Sequence, residues 1–231
     1  IRVRRSSDNN EQDIGFNVFS ELDTVSLTAF AGTGDAFVKT WYDQSGNSND
    51  ATQTATYRQP QIVSSGAVIL VDGKPSIYFL NNTYYANITA SISTLHSAFA
   101  VAKMPDLHRR QIYGFGQAFA YQNFEFGFNN TNLTVTFLGN GSSYNAAQSS
   151  QGVNTAVNLF SNIYNGTTYK AYVNTAASVN ISETLTSSAA LSIGARNSAT
   201  MYLSELVLYS SDETSDRTDI ETNINTFYNI Y

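Results

Sequence analysis

Apolar and polar residues alternate with a period of two along much of this chain, which is the pattern of half-buried β-strands. In the segment 124–128 the aromatic residues Phe124, Phe126 and Phe128 alternate with Glu125 and Gly127. The segments 133–137 and 96–103 alternate in the same way. The segment 203–209 is apolar at nearly every position, which is typical of a central strand covered on both sides. The pattern therefore predicts an all-β domain.

Two dipeptides that tolerate positive φ angles predict tight β-hairpins. Asp72-Gly73 is expected to join strands at 68–71 and 74–80. Asn165-Gly166 is expected to join strands at 158–164 and 167–173 in the same manner.

Only two segments have helical character. The segment 23–31 begins with the capping residues Asp23 and Thr24 and is followed by Gly32, so it predicts one short helix. The segment 214–231 predicts an amphipathic helix that closes one end of the domain. Its apolar stripe consists of Ile220, Ile224, Phe227 and Tyr228.

Composition supports a single β-domain over residues 1–231. Hydrophobic residues make up 42% of the 231 residues, so the chain can fill a core, and aromatic residues alone make up 13%. Charged residues are only 13%, about half the usual share, and polarity comes mainly from Asn, Ser and Thr. The chain begins directly with a strand-like segment, 1–5, and we expect it to be a piece of a longer protein.

Charge and cysteine content exclude several classes of function. The net charge is −6, and the one dense basic cluster, Arg2, Arg4 and Arg5, is expected on a solvated edge strand, so we predict no nucleic-acid binding. The chain has no cysteine, which excludes disulfides and thiolate metal sites. No apolar stretch approaches the length of about 18 residues that spans a bilayer, so we predict no membrane insertion.

Seven Asn-x-Ser/Thr sequons occur in the sequence, which is close to the number that its composition gives by chance. They begin at Asn81, Asn87, Asn129, Asn132, Asn140, Asn165 and Asn180.

Two segments carry a resemblance to a known family. The run Tyr42-Asp43-Gln44-Ser45-Gly46-Asn47, followed by Asn49, resembles a strand and loop of the alpha-L-arabinofuranosidase B catalytic domain. Related domains also occur in bacterial and phage surface proteins. The segment 202–209, followed by an acidic turn and a short helix, is similar to the end of laminin-G-like jelly rolls. The resemblance implies a concanavalin A-like, two-sheet antiparallel jelly-roll sandwich with one or two short helices.

The same resemblance implies where catalytic carboxylates would lie. A retaining glycosidase needs two carboxyl groups about 5–5.5 Å apart. The position that resembles the nucleophile holds Leu138, and the position that resembles the acid holds Arg196 or Asn197. We therefore predict that there are no catalytic residues, with Glu125 and Asp43 as a fallback acid/base pair. The simpler interpretation makes Glu125 a solvated strand residue and Asp43 a carboxylate that organises its own loop.

Candidate ligand-binding residues come from the loop and from the tyrosines. Asp43, Asn47 and Asn49 offer polar groups, and tyrosines beside amide-rich stretches offer sugar platforms. These tyrosines are Tyr84, Tyr85, Tyr113, Tyr121 and Tyr144. Asp43, Asn47, Asn49 and Asp50 also present oxygen ligands suited to calcium, although a turn satisfied by its own backbone explains them more simply. We expect no other cofactor or metal.

The sequence thus predicts a non-catalytic module on a virion or cell surface. Its partners are expected to be a glycan or other surface proteins, within a larger assembly that serves adhesion, glycan contact or architecture. Two alternatives remain: a glycoside hydrolase of the arabinofuranosidase type, and a purely structural capsid or fibre protein without a ligand.

Overall fold

The computed structural model describes residues 1–80, 86–88, 96–105, 110–115, 124–128, 133–139, 144–152, 155–177, 181–182, 191–194 and 200–231. For the strands at 86–88, 124–128, 133–139, 144–152 and 181–182, the description is of the backbone and its pairing.

The described residues form twenty-one strands, two α-helices and one 3-10 helix. The strands of the first half are β1 Arg2–Arg5, β2 Glu11–Asp13, β3 Ala36–Trp41, β4 Ala51–Thr52, β5 Gln61–Ser64, β6 Ala67–Val68, β7 Leu70–Val71, β8 Lys74–Pro75, β9 Ile77–Phe79, β10 Ala86–Ile88 and β11 His96–Lys103. Those of the second half are β12 Arg110–Phe115, β13 Phe124–Phe128, β14 Leu133–Gly139, β15 Tyr144–Gly152, β16 Val157–Tyr164, β17 Thr168–Val173, β18 Ala176–Ala177, β19 Ile181–Ser182, β20 Leu191–Ile193 and β21 Met201–Tyr209. The helices are α1 Thr24–Ala31, the 3-10 helix Thr56–Arg58 and α2 Arg217–Tyr228.

The strands form two antiparallel layers. In sheet I the order is β17, β16, β11, β21, β9 and β5. In sheet II the order is β2, β1, β3, β4, β10, β20, β12, β13, β14 and β15. The strand β3 also pairs with β5 and so connects the two layers. The predicted all-β jelly-roll sandwich is confirmed.

The main core lies between the two sheets. Sheet I contributes alternate residues such as Ala98, Ala100 and Phe160, and sheet II contributes Val3 and Ile193. A hydrogen bond of 3.3 Å from the Tyr113 hydroxyl to Asn162 Oδ1 crosses this core. Two-sided burial follows from the sequence of β11, because the small alanines face sheet II while Phe99 and Val101 face the other way.

A second apolar cluster lies between sheet I and α2. Ile224 of the helix is buried against Phe99, Val101 and Leu159. The segment 214–231 therefore covers the outer face of sheet I rather than closing an end of the sandwich. The cause is β21 and its neighbours, which are apolar on both faces and need a cover on the outside. Neither described α-helix is long and apolar enough to span a bilayer.

The apolar pattern also predicts that Phe126, Val135, Val101 and Leu206 lie in the core between the sheets, and this prediction is confirmed only in part. Val101 is fully buried, but in the helix-side cluster, and Leu206 is half-buried against the main core. Only the backbone is described at Phe126 and Val135. The prediction of a central strand at 203–209 is confirmed, because β21 pairs with β11 on one side and β9 on the other.

Local signals place α1 and the first hairpin correctly. Asp23 Oδ1 accepts a 3.0 Å hydrogen bond from the Ser26 amide, and Gly32 ends the helix at φ 63°. Asp72 and Gly73 both have positive φ, at 47° and 80°, and join β7 to β8 in a two-residue turn.

The second hairpin differs from the prediction. The register pairs Tyr164 with Tyr169, so four residues form the connection instead of two. Asn165 Oδ1 accepts hydrogen bonds from the amides of Thr167 and Thr168, and this side-chain cap lengthens the turn.

The expected edge strand at the N-terminus is also wrong. β1 is flanked by β2 and β3, and Arg4 is buried there. Its guanidinium donates to Gln59 Oε1 at 2.7 Å and lies over the ring of Phe37. Burial lowers the pKa of Arg4 from its usual value.

Candidate functional site

A row of directly paired residues runs across sheet II. We call it the polar row, and in strand order it comprises Asp13, Arg2, Thr40, Thr52, Asn87, Ser192, Gly114 and Glu125. Its neighbours along the strands, such as Val3, Ala51 and Ile193, lie in the main core. Because side chains alternate between the two faces of a strand, the described side chains of the row, those of Asp13, Arg2, Thr40, Thr52 and Ser192, belong to the face of sheet II that points away from the core.

Two irregularities keep this face polar. The register between β1 and β3 shifts at Arg2 and Val3, which adds Lys39 as an extra residue between Val38 and Thr40. A similar shift in β12 leaves both Ile112 and Tyr113 in the core. Without such bulges the alternation would carry apolar residues onto the outer face.

The charged end of the row is a closed set of ion pairs. Glu11 contacts Arg2 at 2.9 Å and Lys39 at 2.7 Å, and Arg2 also contacts Asp13 at 3.2 Å. The hydrogen bonds from Lys39 and Arg2 lower the pKa of Glu11. Tyr42 donates its hydroxyl to Asp13 at 2.6 Å, and this bond raises the pKa of Tyr42. The charges therefore balance one another at this end.

Toward β12, the described side chains in and beside the row are more deeply buried. Ser192 and Gln111 are each only 6% exposed. Gln111 Nε2 donates to Ser192 Oγ at 3.0 Å, so the two side chains hold each other in place. Next to them, Gly194 adopts a φ of 70°, and a Cβ there would lie 2.1 Å from the ring of Phe79. Only glycine can occupy this position at the end of β20.

The loop between β3 and β4 borders the row on one side and is organised by Asp43. Its carboxylate accepts hydrogen bonds from the amides of Ser45 at 2.8 Å and Asn49 at 3.0 Å, and from the Ser45 hydroxyl at 2.8 Å. Asp50 Oδ1 accepts the Asp43 amide at 2.8 Å. The bond from Asn49, followed by those from Ser45, lowers the pKa of Asp43. The predicted role of Asp43 as a loop-organising carboxylate is confirmed.

A second loop, 53–59, borders the row on the other side. The amide of Gln53 donates to the Lys39 carbonyl, and the carbonyl of Thr56 accepts from Arg4 on the outer face. At its tip, Tyr57 is 66% exposed. Sequence reasoning missed this tyrosine because the surrounding residues, 54–60, show no periodic pattern.

The structure brings together only some of the predicted ligand residues. Asp43, Asn47 and Asn49 share one loop, where Asn47 donates to Ser45 Oγ. Tyr113 is fully buried in the core, so its ring offers no accessible face to a ligand. Tyr84, Tyr85 and Tyr121 lie outside the described residues, and at Tyr144 only the backbone is described.

The suggested calcium ligands are engaged with the loop itself. Both oxygens of Asp43 accept protein hydrogen bonds, and one oxygen of Asp50 accepts the amide of Asp43. Among the described residues, no group of three or more His, Asp or Glu side chains is placed to share a metal ion.

The register separates the two fallback carboxylates. Glu125 pairs with Gly114 in β12 and with Phe137 in β14, while Asp43 follows β3. Five strand spacings of about 4.8 Å separate β13 from β3, which amounts to roughly 24 Å along the sheet. The carboxyl groups of a glycosidase pair lie about 5–10 Å apart, whereas Glu125 and Asp43 belong to parts of sheet II whose strands, β13 and β3, are not neighbours.

The position that resembles the nucleophile falls next to Glu125 in the register. Leu138 pairs with Phe124, one residue along from the pair of Glu125 and Phe137. Arg196 and Asn197 lie outside the described residues.

The fold is similar to those of several solved structures. A mutant GH54 α-L-arabinofuranosidase soaked with 4-nitrophenyl α-L-arabinofuranoside matches with a TM-score of 0.71 and 14% identity, over 96% of this chain and 58% of that chain. An arabinofuranosidase complexed with arabinofuranosyl-α-1,2-xylobiose matches with a TM-score of 0.66 and 15% identity over the same shares. The CBM40 of a Ruminococcus gnavus IT-sialidase, bound to α2,3-sialyllactose, matches with a TM-score of 0.52 and 10% identity, over 62% of this chain and 94% of that one.

These likenesses define the class of fold. The protein is a two-sheet jelly-roll sandwich, and the resemblance to the arabinofuranosidase domain that the run 42–47 indicated is confirmed at the level of the fold. The chain spans 58% of the length of the two arabinofuranosidases. The sequence matches no protein-family model and no curated protein.

Proposed function

We propose that this domain is a non-catalytic module that binds glycan on the outer face of sheet II. The observation that carries the proposal is the polar row, which passes between the Asp43 loop and the loop 53–59 at Thr40 and Thr52. Hydroxyl, amide and charged groups along one face suit the hydroxyl groups of a sugar. The arabinofuranosidases and the sialidase module that share the fold were solved with sugar ligands, which supports this class of partner.

The absence of catalysis is part of the proposal. Leu138 stands where the resembling enzyme has its nucleophile, and Arg196 or Asn197 stands where it has its acid. Along the described part of the row, Glu125 lies at one end and Asp13 at the other. Hydrolysis of arabinofuranosides is the alternative function, and the fold together with the place of Glu125 in the row favours it.

The setting is proposed to be an extracellular or virion surface, within a larger assembly. A structural role without any ligand is the second alternative, and one observation favours it. The loop before α1 exposes a group of apolar side chains, with exposed fractions of 59% to 92%: Phe16, Val18 and Phe19. Such residues can pack against a neighbouring subunit.

The experiment that tests the proposal measures binding to a panel of immobilised neutral and acidic polysaccharides. Thr52→Val removes one hydroxyl from the polar row, and Thr222→Val makes the same change on α2, on the opposite side of the sandwich. We expect Thr52→Val to weaken binding about fivefold, the effect of one hydrogen bond, and Thr222→Val to bind like the wild type. Binding that responds equally to both changes, or no binding to any polysaccharide, would refute the proposal.

A further inference from the structure

The exposed ring of Tyr57 is held firmly at the border of the polar row. Its 3-10 turn is closed by hydrogen bonds from Arg58 to the Ala55 carbonyl and from Gln59 to the Thr56 carbonyl. Arg4, which is buried beneath, donates to Gln59 and to the Thr56 carbonyl, so the turn is tied to β1 from both sides of Tyr57. A tyrosine with 66% exposure on such an anchored backbone is already ordered before it meets a ligand.

One face of the ring is supported by a cation. The guanidinium carbon of Arg58 lies 5.3 Å from the ring centroid, while Arg58 itself is half-buried. The guanidinium lies over one face of the ring, and the 66% exposure of Tyr57 leaves ring surface that a ligand can contact. Aromatic faces bind the flat, C–H-bearing side of a sugar ring, which adds apolar contact to the hydrogen bonds of a polar groove.

The charges nearby restrict the kind of sugar. Arg2 and Lys39 are both paired with carboxylates, and the buried Arg4 is bonded to neutral groups. Among the described residues of this face, therefore, each of these three cations already has partners, and the Arg58 guanidinium lies over the ring of Tyr57. An acidic sugar that extends along the row would in addition meet the carboxylates Glu11 and Asp13. A neutral sugar would not be repelled by these carboxylates.

We propose that Tyr57 is the stacking platform of the glycan site, and that it selects a neutral pyranose chain. This inference rests on the proposed function and makes it specific. The chair of a pyranose presents axial C–H groups on a broad face, whereas the puckered five-membered ring of an arabinofuranose presents a smaller one. The pyranose chain stacks on Tyr57 and extends along Thr52 and Thr40.

The test is isothermal titration of the purified protein with xylotetraose and, separately, with α-1,5-arabinotetraose. We expect the wild type to prefer xylotetraose. Tyr57→Ala is expected to weaken xylotetraose binding about five- to tenfold, the worth of one aromatic contact, and Tyr57→Phe to restore it because the ring is kept. Phe19→Ala removes a ring that is 79% exposed from the loop before α1 and serves as the matched control.

The outcomes separate this inference from the proposed function. If the wild type binds xylotetraose but Tyr57→Ala binds it equally well, or Phe19→Ala weakens binding as much, Tyr57 is not the platform and the glycan site stands without it. A preference for arabinotetraose would overturn the choice of a pyranose. If the wild type binds neither these sugars nor any polysaccharide of the panel, both the function and the inference fail.

Discussion

At the scale of single residues, the sequence is informative where a side chain bonds to its own neighbours. The role of Asp43 could be predicted because its partners, Ser45 and Asn49, lie within six positions. The role of Tyr113 could not, because its burial depends on Asn162 in the facing sheet. Tyr57 was missed for a similar reason, since its anchor Arg4 is more than fifty positions away in the chain.

Asp43 yields a stability prediction at this scale. Asp43→Ala should lower the free energy of unfolding by about 0.5–1 kcal/mol, because the freed amides of Ser45 and Asn49 are exposed and can turn to water. The pKa of Asp43 is lower in the fold than its ordinary value of 3.8. Its contribution is therefore present above pH 3.8 and is lost as the pH falls through the folded pKa.

Urea unfolding at pH 7 and at pH 3 measures both effects of this substitution. Asn47→Ala, in the same loop, is the control and should cost less, since the Asn47 side chain donates to the Ser45 hydroxyl whereas Asp43 accepts two backbone amides. A loss of stability for Asp43→Ala that is the same at both pH values would contradict the assignment.

At the scale of elements, caps and turn residues predict boundaries, but pairing decides the final shape. The Asp72-Gly73 hairpin forms as expected, yet its second strand is interrupted after Pro75, and Ile77–Phe79 joins sheet I instead. Proline lacks the amide that would continue the ladder. The position of α2 could not be predicted. Its apolar stripe indicates that one face of the helix is buried, but it does not indicate which sheet the helix packs against.

The docking of α2 depends on a buried carboxylate. Glu221, 1% exposed, accepts the Ser161 hydroxyl at 2.7 Å and pairs with Arg217, whose guanidinium lies 4.0 Å from the ring centroid of Tyr172. Glu221→Ala should cost about 2–4 kcal/mol, because it leaves Arg217 partly buried without its partner. Asp219→Ala on the exposed side of α2 should cost only a few tenths. Thermal unfolding that shows equal losses for the two variants would disprove this role.

A second carboxylate under α2 has the opposite effect. Burial raises the pKa of Glu205 above its ordinary value of 4.5, although a hydrogen bond with Tyr228 partly offsets this. Because the folded state favours the protonated form, stability should fall as the pH rises from 4.5 through the folded pKa. Glu205→Gln should therefore raise the Tm at pH 7, on the order of 1–3 °C, and change it little at pH 4. A lower Tm at pH 7 would show that the charge is stabilised there.

At the scale of the whole molecule, the fold class was predictable and the functional face was not. Alternating strands and two motifs were sufficient for a jelly roll. The polar row, however, brings Asp13 and Glu125 into one line through seven pairings, four of which join strands that are not consecutive in the sequence. Two bulges that no sequence pattern marks keep this line on the outer face.

The separation of carboxylates across this face predicts binding without turnover. The protein should release no 4-nitrophenolate from 4-nitrophenyl α-L-arabinofuranoside above background. General acid–base catalysis alone accelerates such a reaction about 10²–10⁴-fold, and it requires a carboxyl group positioned at the scissile bond. Glu125→Gln and Asp43→Asn should leave this background unchanged. Release that either variant abolishes would mean that the carboxylates act from new positions.

The location of the glycan site is tested most directly by hydrogen–deuterium exchange with and without saturating xylotetraose. The account predicts slower exchange in peptides covering residues 38–58, which contain Thr40, the Asp43 loop, Thr52 and Tyr57. Exchange in peptides from α2 should not change, because that helix covers the opposite sheet. Protection confined to α2 or to the exposed loop at 16–22, or no protection at all, would contradict a glycan site on the polar row.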